Sequence, residues 1–196
     1  MWGDLTPPYS TIVADPPWMY QKQPGSKTGS VMESMAEGQY GTMTNEAIAA
    51  LPVAELAADQ AHLYLWVTNP GMFGGRFSRI TPRDIVEAWG FRYVTMLTWI
   101  KPGAGGMGWY FRGQTEHAVF ATRGDLGIPA AQRQPNVFTA PRTGHSRKPD
   151  KFLDLVERVS PGPYVELFSR DPMLGWDSWG HGFEVGARDL FGVSGG

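Results

Sequence analysis

A chain of 196 residues is long enough for one domain with a substantial core and too short for two generous ones. Lys and Arg total 17 against 19 Asp and Glu, so the formal net charge of -2 lacks the basic excess of a tight, non-specific nucleic-acid binder, and any nucleic-acid contact has to be local or shared with a partner. The absence of cysteine excludes disulfides and thiolate metal sites, and His62, His117, His145 and His181 show no metal-ligand spacing, so no metal is expected. The first residues show no basic segment followed by an apolar one, and no run approaches transmembrane length; the expectation is a cytoplasmic protein with no membrane partner. Eight Trp among 25 Gly and 16 Pro describe rigid loops that carry aromatic rings.

Tyr9 to Ala14 reads as the first strand, ended by Asp15-Pro16-Pro17-Trp18, because proline continues neither a sheet ladder nor a helix. Residues 21–41 are polar and Gly-rich without a period, and read as a flexible lid. Their Gly25-Ser26-Lys27-Thr28 lacks the glycines of a phosphate loop. Thr44 to Leu51 is a short helix capped by Thr44, and His62 to Val67 is the second strand. A helix opens near Pro82 and stops at Gly90, with Ile85, Val86 and Trp89 on one face. Arg92 to Ile100 and Glu116 to Thr122 are strands joined by a loop without a helix, which predicts an antiparallel hairpin.

Residues 124–146 are irregular, with a short strand at Asn136 to Thr139. Pro149 opens the clearest helix, where Phe152, Leu155, Val156 and Val159 keep helical spacing. Tyr164 to Phe168 is the strand after it, and the tail from Ser169 reads as loop, with a weak pattern near Phe183 to Leu190. Alternating strands and helices plus one antiparallel strand predict an α/β fold with an open, mostly parallel sheet, in which residues 1–196 form a single domain. Helix starts and strand ends then share one edge, which gathers Asp15, Asn69, Lys101, Lys148 and Arg170. That edge is where ligands bind such sheets.

At that edge the Asp-Pro-Pro-Trp stretch carries the chemistry. One reading is a proline-stiffened strand exit with a surface Trp. The other starts from an exocyclic adenine amine, a poor nucleophile because its lone pair is delocalised into the ring. A carboxylate and a backbone carbonyl, both acceptors, can hold its N–H groups and aim the lone pair at an electrophile. Asp15 and the carbonyl of Pro16 supply the acceptors, Pro17 fixes the turn, and Trp18 can stack on the base, a contact worth roughly 1–3 kcal/mol.

Asp15-Pro16-Pro17-Trp18 resembles the motif of N6-adenine methyltransferases. Further stretches in the same order narrow the resemblance to the MT-A70 family: Tyr40-Gly41-Thr42-Met43, Glu116-His117, His145 to Pro149, Glu166-Leu167-Phe168-Ser169-Arg170 and Trp176 to Gly180. The resemblance implies a Rossmann-like class I methyltransferase fold, circularly permuted so that the catalytic motif precedes the cofactor strand, and S-adenosyl-L-methionine as cofactor. It implies catalytic roles for Asp15, Pro16, Pro17 and Trp18, and cofactor contacts at Asp15, Lys148, Ser169, Arg170 and His181. Lys148 would meet the methionine carboxylate, which a helix start also favours. His181 stands where relatives often carry Asn. Glu166, inside an apolar strand, reads as a structural ion-pair partner ahead of a support for the cofactor pocket.

The loop from Lys101 to Arg112 holds a formal G-x-G-x-x-G, but Pro102 precedes it and no helix follows, so it is no dinucleotide fingerprint. It reads as a flexible active-site loop over about residues 101–115, with Tyr40, Lys101, Trp109, Arg112 and Trp18 as candidate substrate contacts; packing within the loop is the competing reading for the cations and Trp109. Glu116 and His117 are expected to support the site from behind it. The compact chain resembles bacterial and phage relatives that methylate DNA, so DNA leads over RNA, with the adenine flipped or unpaired and a homodimer or partner subunit supplying the missing basic surface. The competing classes are an inactive binding subunit of the same family and a methyltransferase for free nucleotides.

Overall fold

The computed structural model describes residues 2–3, 5–19, 42–74, 78–103, 105–106, 110–142, 148–169 and 173–180. Seven strands among the described residues form one sheet: β1 (Tyr9–Ala14), β2 (Ala57–Val67), β3 (Arg92–Ile100), β4 (Thr115–Arg123), β5 (Val137–Thr139), β6 (Tyr164–Leu167) and β7 (Trp176–Trp179). Their spatial order is β5-β3-β4-β2-β1-β6-β7. Pairing is parallel everywhere except around β4, which runs antiparallel to both β2 and β3. The hairpin expected from the helix-free β3–β4 connection is therefore present, with Trp99 opposite Glu116.

Among the described residues three α-helices pack against the sheet: α1 (Asn45–Ala49), α2 (Pro82–Ala88) and α3 (Asp150–Val159). Thr44 caps α1 by accepting from the Ala47 amide, and Thr81 and Asp84 form a reciprocal capping box on α2. Gly90 follows α2 with φ +80°, the left-handed conformation that ends helices.

Alternation along the strands divides the core. Ile12, Ala14, Leu63, Leu65, Val67, Val165 and Leu167 pack with Ile48, Ile85 and Trp89 of the α1–α2 layer. Val13, Tyr64, Trp66, Trp99, Ala118 and Phe120 pack with Phe152, Val156 and Val159 of α3. The period of two carries one step further: Asp15, next after Ala14, falls on the α3 face.

The observed β1, β3 and β5 match the expected strands, while β2 begins five residues earlier than His62. One expectation is corrected. The tail after Ser169 is not all loop, because Trp176–Trp179 adds β7 beside β6. Four residues with a single buried side chain, Trp176, give too short an alternation to stand out in sequence, and pairing with β6 holds the segment extended. The expected pattern near Phe183 to Leu190 and the expected lid over 21–41 lie outside the described residues.

Candidate active site

The C-terminal ends of β1, β2, β3 and β6, the start of β4 and the start of α3 share one edge, as parallel pairing requires. Asp15, Asn69, Lys101 and Lys148 all lie there; Arg170, expected with them, lies outside the described residues.

At the exit of β1 the Asp15 amide still donates to Leu167 O of β6 (3.3 Å), so the strand is held up to the catalytic candidate. The prolines then turn the chain. Trp18 N donates to Pro16 O (2.8 Å), and residues 17–19 run alongside Met43, with Met43 N on Pro17 O (2.8 Å) and Met19 N on Met43 O (3.1 Å). A carbonyl oxygen has two lone pairs, so Pro16 O retains capacity for another donor.

This turn carries Trp18 inward. The side chain is 8 % exposed, packed with the α1–α2 core, and its indole N–H donates to Trp66 O (2.9 Å). Sequence reading offered Trp18 as a stacking ring or a surface Trp. The structure excludes the surface reading: the ring is a buried anchor that ties the Pro-Pro turn to β2.

Charge at the site is organised by Lys148, at the head of α3. Its ammonium donates to Asp15 Oδ2 (2.6 Å), stands 3.4 Å from Glu116 Oε2, and lies 5.1 Å from the centroid of the Trp66 ring. The other Glu116 oxygen, Oε1, accepts from Lys101, whose ammonium is also 4.5 Å from the Trp99 ring centroid. Asp15, Lys148, Glu116 and Lys101 thus alternate in sign and sum to zero. Burial works to raise the Glu116 pKa, but the charges of Lys148 and Lys101 and their hydrogen bonds outweigh it and hold the carboxyl below its ordinary value. Glu116 thus stands behind Lys148 and holds it from the β4 side, in keeping with the supporting place expected of it. The antiparallel hairpin made this legible: Trp99 faces Glu116, so Lys101, two residues on, is its diagonal neighbour on the same face.

On the opposite face of β4, His117 Nε2 lies 2.7 Å from Asn69 Oδ1 and Nδ1 lies 3.0 Å from Thr98 Oγ1, while Asn69 Nδ2 donates to Thr115 Oγ1 (3.0 Å). Burial holds the His117 pKa below the usual histidine value, against the pull of Glu116.

At the end of β6, Ser169 is buried and its hydroxyl donates to Glu166 Oε2 (2.8 Å), which fits a structural Glu166. Phe168 adopts a left-handed φ of +65°, and Gly180 (φ +127°) passes so close that a Cβ there would sit 2.7 Å from Phe168 Cα. Only glycine fits beside that turn. Among the remaining substrate candidates, Arg112 is exposed beyond the β3–β4 hairpin, which continues past its strands through Lys101 N on Gln114 O (2.8 Å) and Gly106 N on Gly113 O (2.9 Å). Tyr40, Trp109 and His181 lie outside the described residues.

A seven-stranded, mostly parallel sheet with one antiparallel strand set into it, and an acid-Pro-Pro-Trp exit on a strand that precedes α3 and β6, is a permuted, Rossmann-like methyltransferase fold. The chain belongs to the MT-A70 family, whose model matches residues 9–182. It is similar to the type II methyltransferase M.MunI of Mycoplasma sp., 29 % identical over 191 residues, covering 88 % of this chain and 76 % of that one. It is also similar to an MT-A70-like N(6)-adenosine-methyltransferase of Arabidopsis thaliana, 28 % identical over 190 residues, and to the human N(6)-adenosine-methyltransferase catalytic subunit METTL3, 28 % identical over 170 residues. The match covers 91 % and 83 % of this chain but only 24 % and 26 % of those two, so the chain spans about a quarter of their length. No described helix is long and apolar enough to cross a membrane, and no group of metal-ligating side chains occurs among the described residues.

Proposed function

We propose that residues 1–196 act as one methyltransferase unit that places a methyl group on N6 of adenine in nucleic acid, with DNA as the polymer. The observation that carries the reading is the Asp15 carboxylate at the C-terminal end of β1, on the α3 face and bonded to Lys148 at 2.6 Å. The donor set suits S-adenosyl-L-methionine: Lys148 for its carboxylate, Asp15 for its ammonium, with Ser169, Arg170 and His181 as the further candidates along β6 and β7. When bound, that cofactor supplies an electrophilic methyl group.

The chain's own task is to prepare the amine. Asp15 Oδ and Pro16 O accept its two N–H groups and hold them away from conjugation with the ring, which restores a directed lone pair. Trp18 serves this geometry from below, because its bond to Trp66 O fixes the turn that displays Pro16. Tyr40, Lys101, Trp109 and Arg112 are the candidates for contact with the target strand. The net charge of -2 favours an unpaired or flipped adenine and a homodimer or partner subunit that shares the phosphate contacts.

DNA is preferred because the match covers 76 % of the type II methyltransferase relative, against about a quarter of the two N(6)-adenosine-methyltransferases. RNA is the second reading, favoured by the relatives named N(6)-adenosine-methyltransferases. Transfer of labelled methyl groups to single-stranded DNA, duplex DNA and RNA, followed by mass analysis of the nucleosides, tests both. N6-methyldeoxyadenosine is expected; N6-methyladenosine instead moves the assignment to RNA. Neither product from any polymer, with the cofactor bound, overturns the activity.

A further inference from the structure

The formal charge of -2 is an average over the chain, and its cations are not evenly paired. Lys101 and Lys148 are held by carboxylates at the catalytic edge, and Arg83 by Glu87 on α2. Arg92, Arg133, Lys151 and Arg158 are exposed, and among the described residues no carboxylate forms an ion pair with any of them. All four line one groove.

The groove lies between α3 and the outer edge of the sheet, where β5 pairs with β3 over only three residues. Two hollows of about 450 Å³ and about 490 Å³ adjoin there and share Gln134, Pro135 and Leu155. Arg92 and Arg133 line the first, and Lys151 and Arg158 the second. On α3, Lys151, Asp154, Leu155 and Arg158 fall at i, i+3, i+4 and i+7, so one stripe of the helix borders the groove.

Element directions place its ends. β3 rises from Arg92 to Ile100 and α3 descends from Lys151 to Arg158, so the upper end lies beside Ile100 and Thr139 at the catalytic edge. Lys151 marks that end by donating to Thr139 O (3.1 Å). Lys101 follows Ile100 and opens the charge chain that leads through Glu116 and Lys148 to Asp15. The four cations of the lining face two acids, Asp125 and Asp154. Between them the floor is apolar, with Val94 and Val137 nearly half exposed. Unpaired cations over an apolar floor suit phosphates whose bases turn inward, and hollows of this size admit a single strand rather than a duplex.

We infer that this groove carries the single-stranded flank of the target, with phosphates on Arg92, Arg133, Lys151 and Arg158 and the adenine led past Lys101 to Asp15. The inference rests on the proposed reading of a nucleic-acid substrate, and it supplies locally the basic surface that the net charge denies the chain as a whole.

Anisotropy of a labelled, adenine-containing single-stranded oligodeoxynucleotide, titrated with the protein over a series of salt concentrations, tests it. Each phosphate contact on a single strand contributes about 0.7 to the slope of log K against log salt. Arg92→Gln combined with Arg158→Gln should lower that slope by about 1.4 and raise Kd alike for oligonucleotides of different sequence. Arg92→Lys combined with Arg158→Lys keeps both charges and should restore the slope, which a merely structural role would not do. Arg83→Gln removes a charge from α2, on the opposite face of the sheet, and should leave the slope as in the parent.

The inference is overturned by a parental slope in the Gln pair, by an equal change per charge in Arg83→Gln, or by a Lys pair that restores nothing. It is also overturned if the parent self-associates in sedimentation and the Gln pair is monomeric with an unchanged slope, because the groove then joins two copies of the chain. A slope that depends on the groove, with no methylated product, sinks the proposed function alone. Methylated DNA with a slope independent of the groove sinks only this inference.

Discussion

Trp18 separates two kinds of importance, and substitution to phenylalanine tells them apart. A ring whose task is to stack on a base keeps most of that task as Phe. A ring whose task is to anchor the turn loses its N–H donor to Trp66 O, a 2.9 Å bond in a buried setting. Loss of one buried hydrogen bond that leaves its acceptor in place costs about 1–3 kcal/mol. Trp18→Ala adds a cavity beside Met43 and the α1–α2 core, and large aromatic-to-alanine changes in cores cost about 3–5 kcal/mol. Urea unfolding followed by circular dichroism measures both, and the linear slope checks that unfolding remains two-state. The expected order is parent, then Phe, then Ala, with Phe losing at least about 1 kcal/mol. A Trp18→Phe protein as stable as the parent, with Trp18→Ala costing under about 1 kcal/mol, would refute the anchoring of this turn.

Two other positions give independent checks. His62 is buried, with Nδ1 2.7 Å from Ser160 Oγ, that oxygen 2.7 Å from the Tyr64 hydroxyl, and Nε2 3.0 Å from Leu126 O. One neutral tautomer satisfies the chain: Nε2–H donates to Leu126 O, and Nδ1 accepts from Ser160, which accepts from Tyr64. Burial outweighs the Leu126 carbonyl and lowers the His62 pKa, so its share of stability is complete above the unfolded value near about 6.5 and is lost as pH falls through the folded one. The melting temperature should drop between about pH 7.5 and about pH 5.5, and His62→Gln should flatten that slope; an equal slope in both proteins would contradict the assignment. Gly180→Ala should lower stability by about 1–3 kcal/mol or more, since its Cβ would press on the Phe168 backbone at a φ of +127°; an unchanged urea midpoint would show that the β7 exit is not held as described.

Much of this architecture was legible because the signals were local. Tyr9 to Ala14 ends at prolines, Arg92 to Ile100 is rich in β-branched and aromatic residues, and Phe152 to Val159 keeps a helical period. The edge shared by Asp15, Asn69, Lys101 and Lys148 followed from strand direction alone. What escaped depended on contacts between distant segments. β7 is extended because β6 pairs with it, not because Trp176–Trp179 insists on it. The burial of Trp18 depends on a return past Met43 and an acceptor on β2, neither of which is visible from Asp-Pro-Pro-Trp itself. The bond between Lys148 and Asp15 joins groups 133 positions apart and needs both the alternation of β1 and the start of α3 to foresee.

The most direct measurement is single-turnover methyl transfer by Asp15→Asn at saturating S-adenosyl-L-methionine and adenine-containing DNA. Asparagine fills the same space but places a donor where an acceptor is needed, so the observed rate should fall about 100-fold or more, while bound cofactor remains detectable by calorimetry. A rate within about tenfold of the parent would contradict the role of the Asp15 carboxylate in preparing the amine.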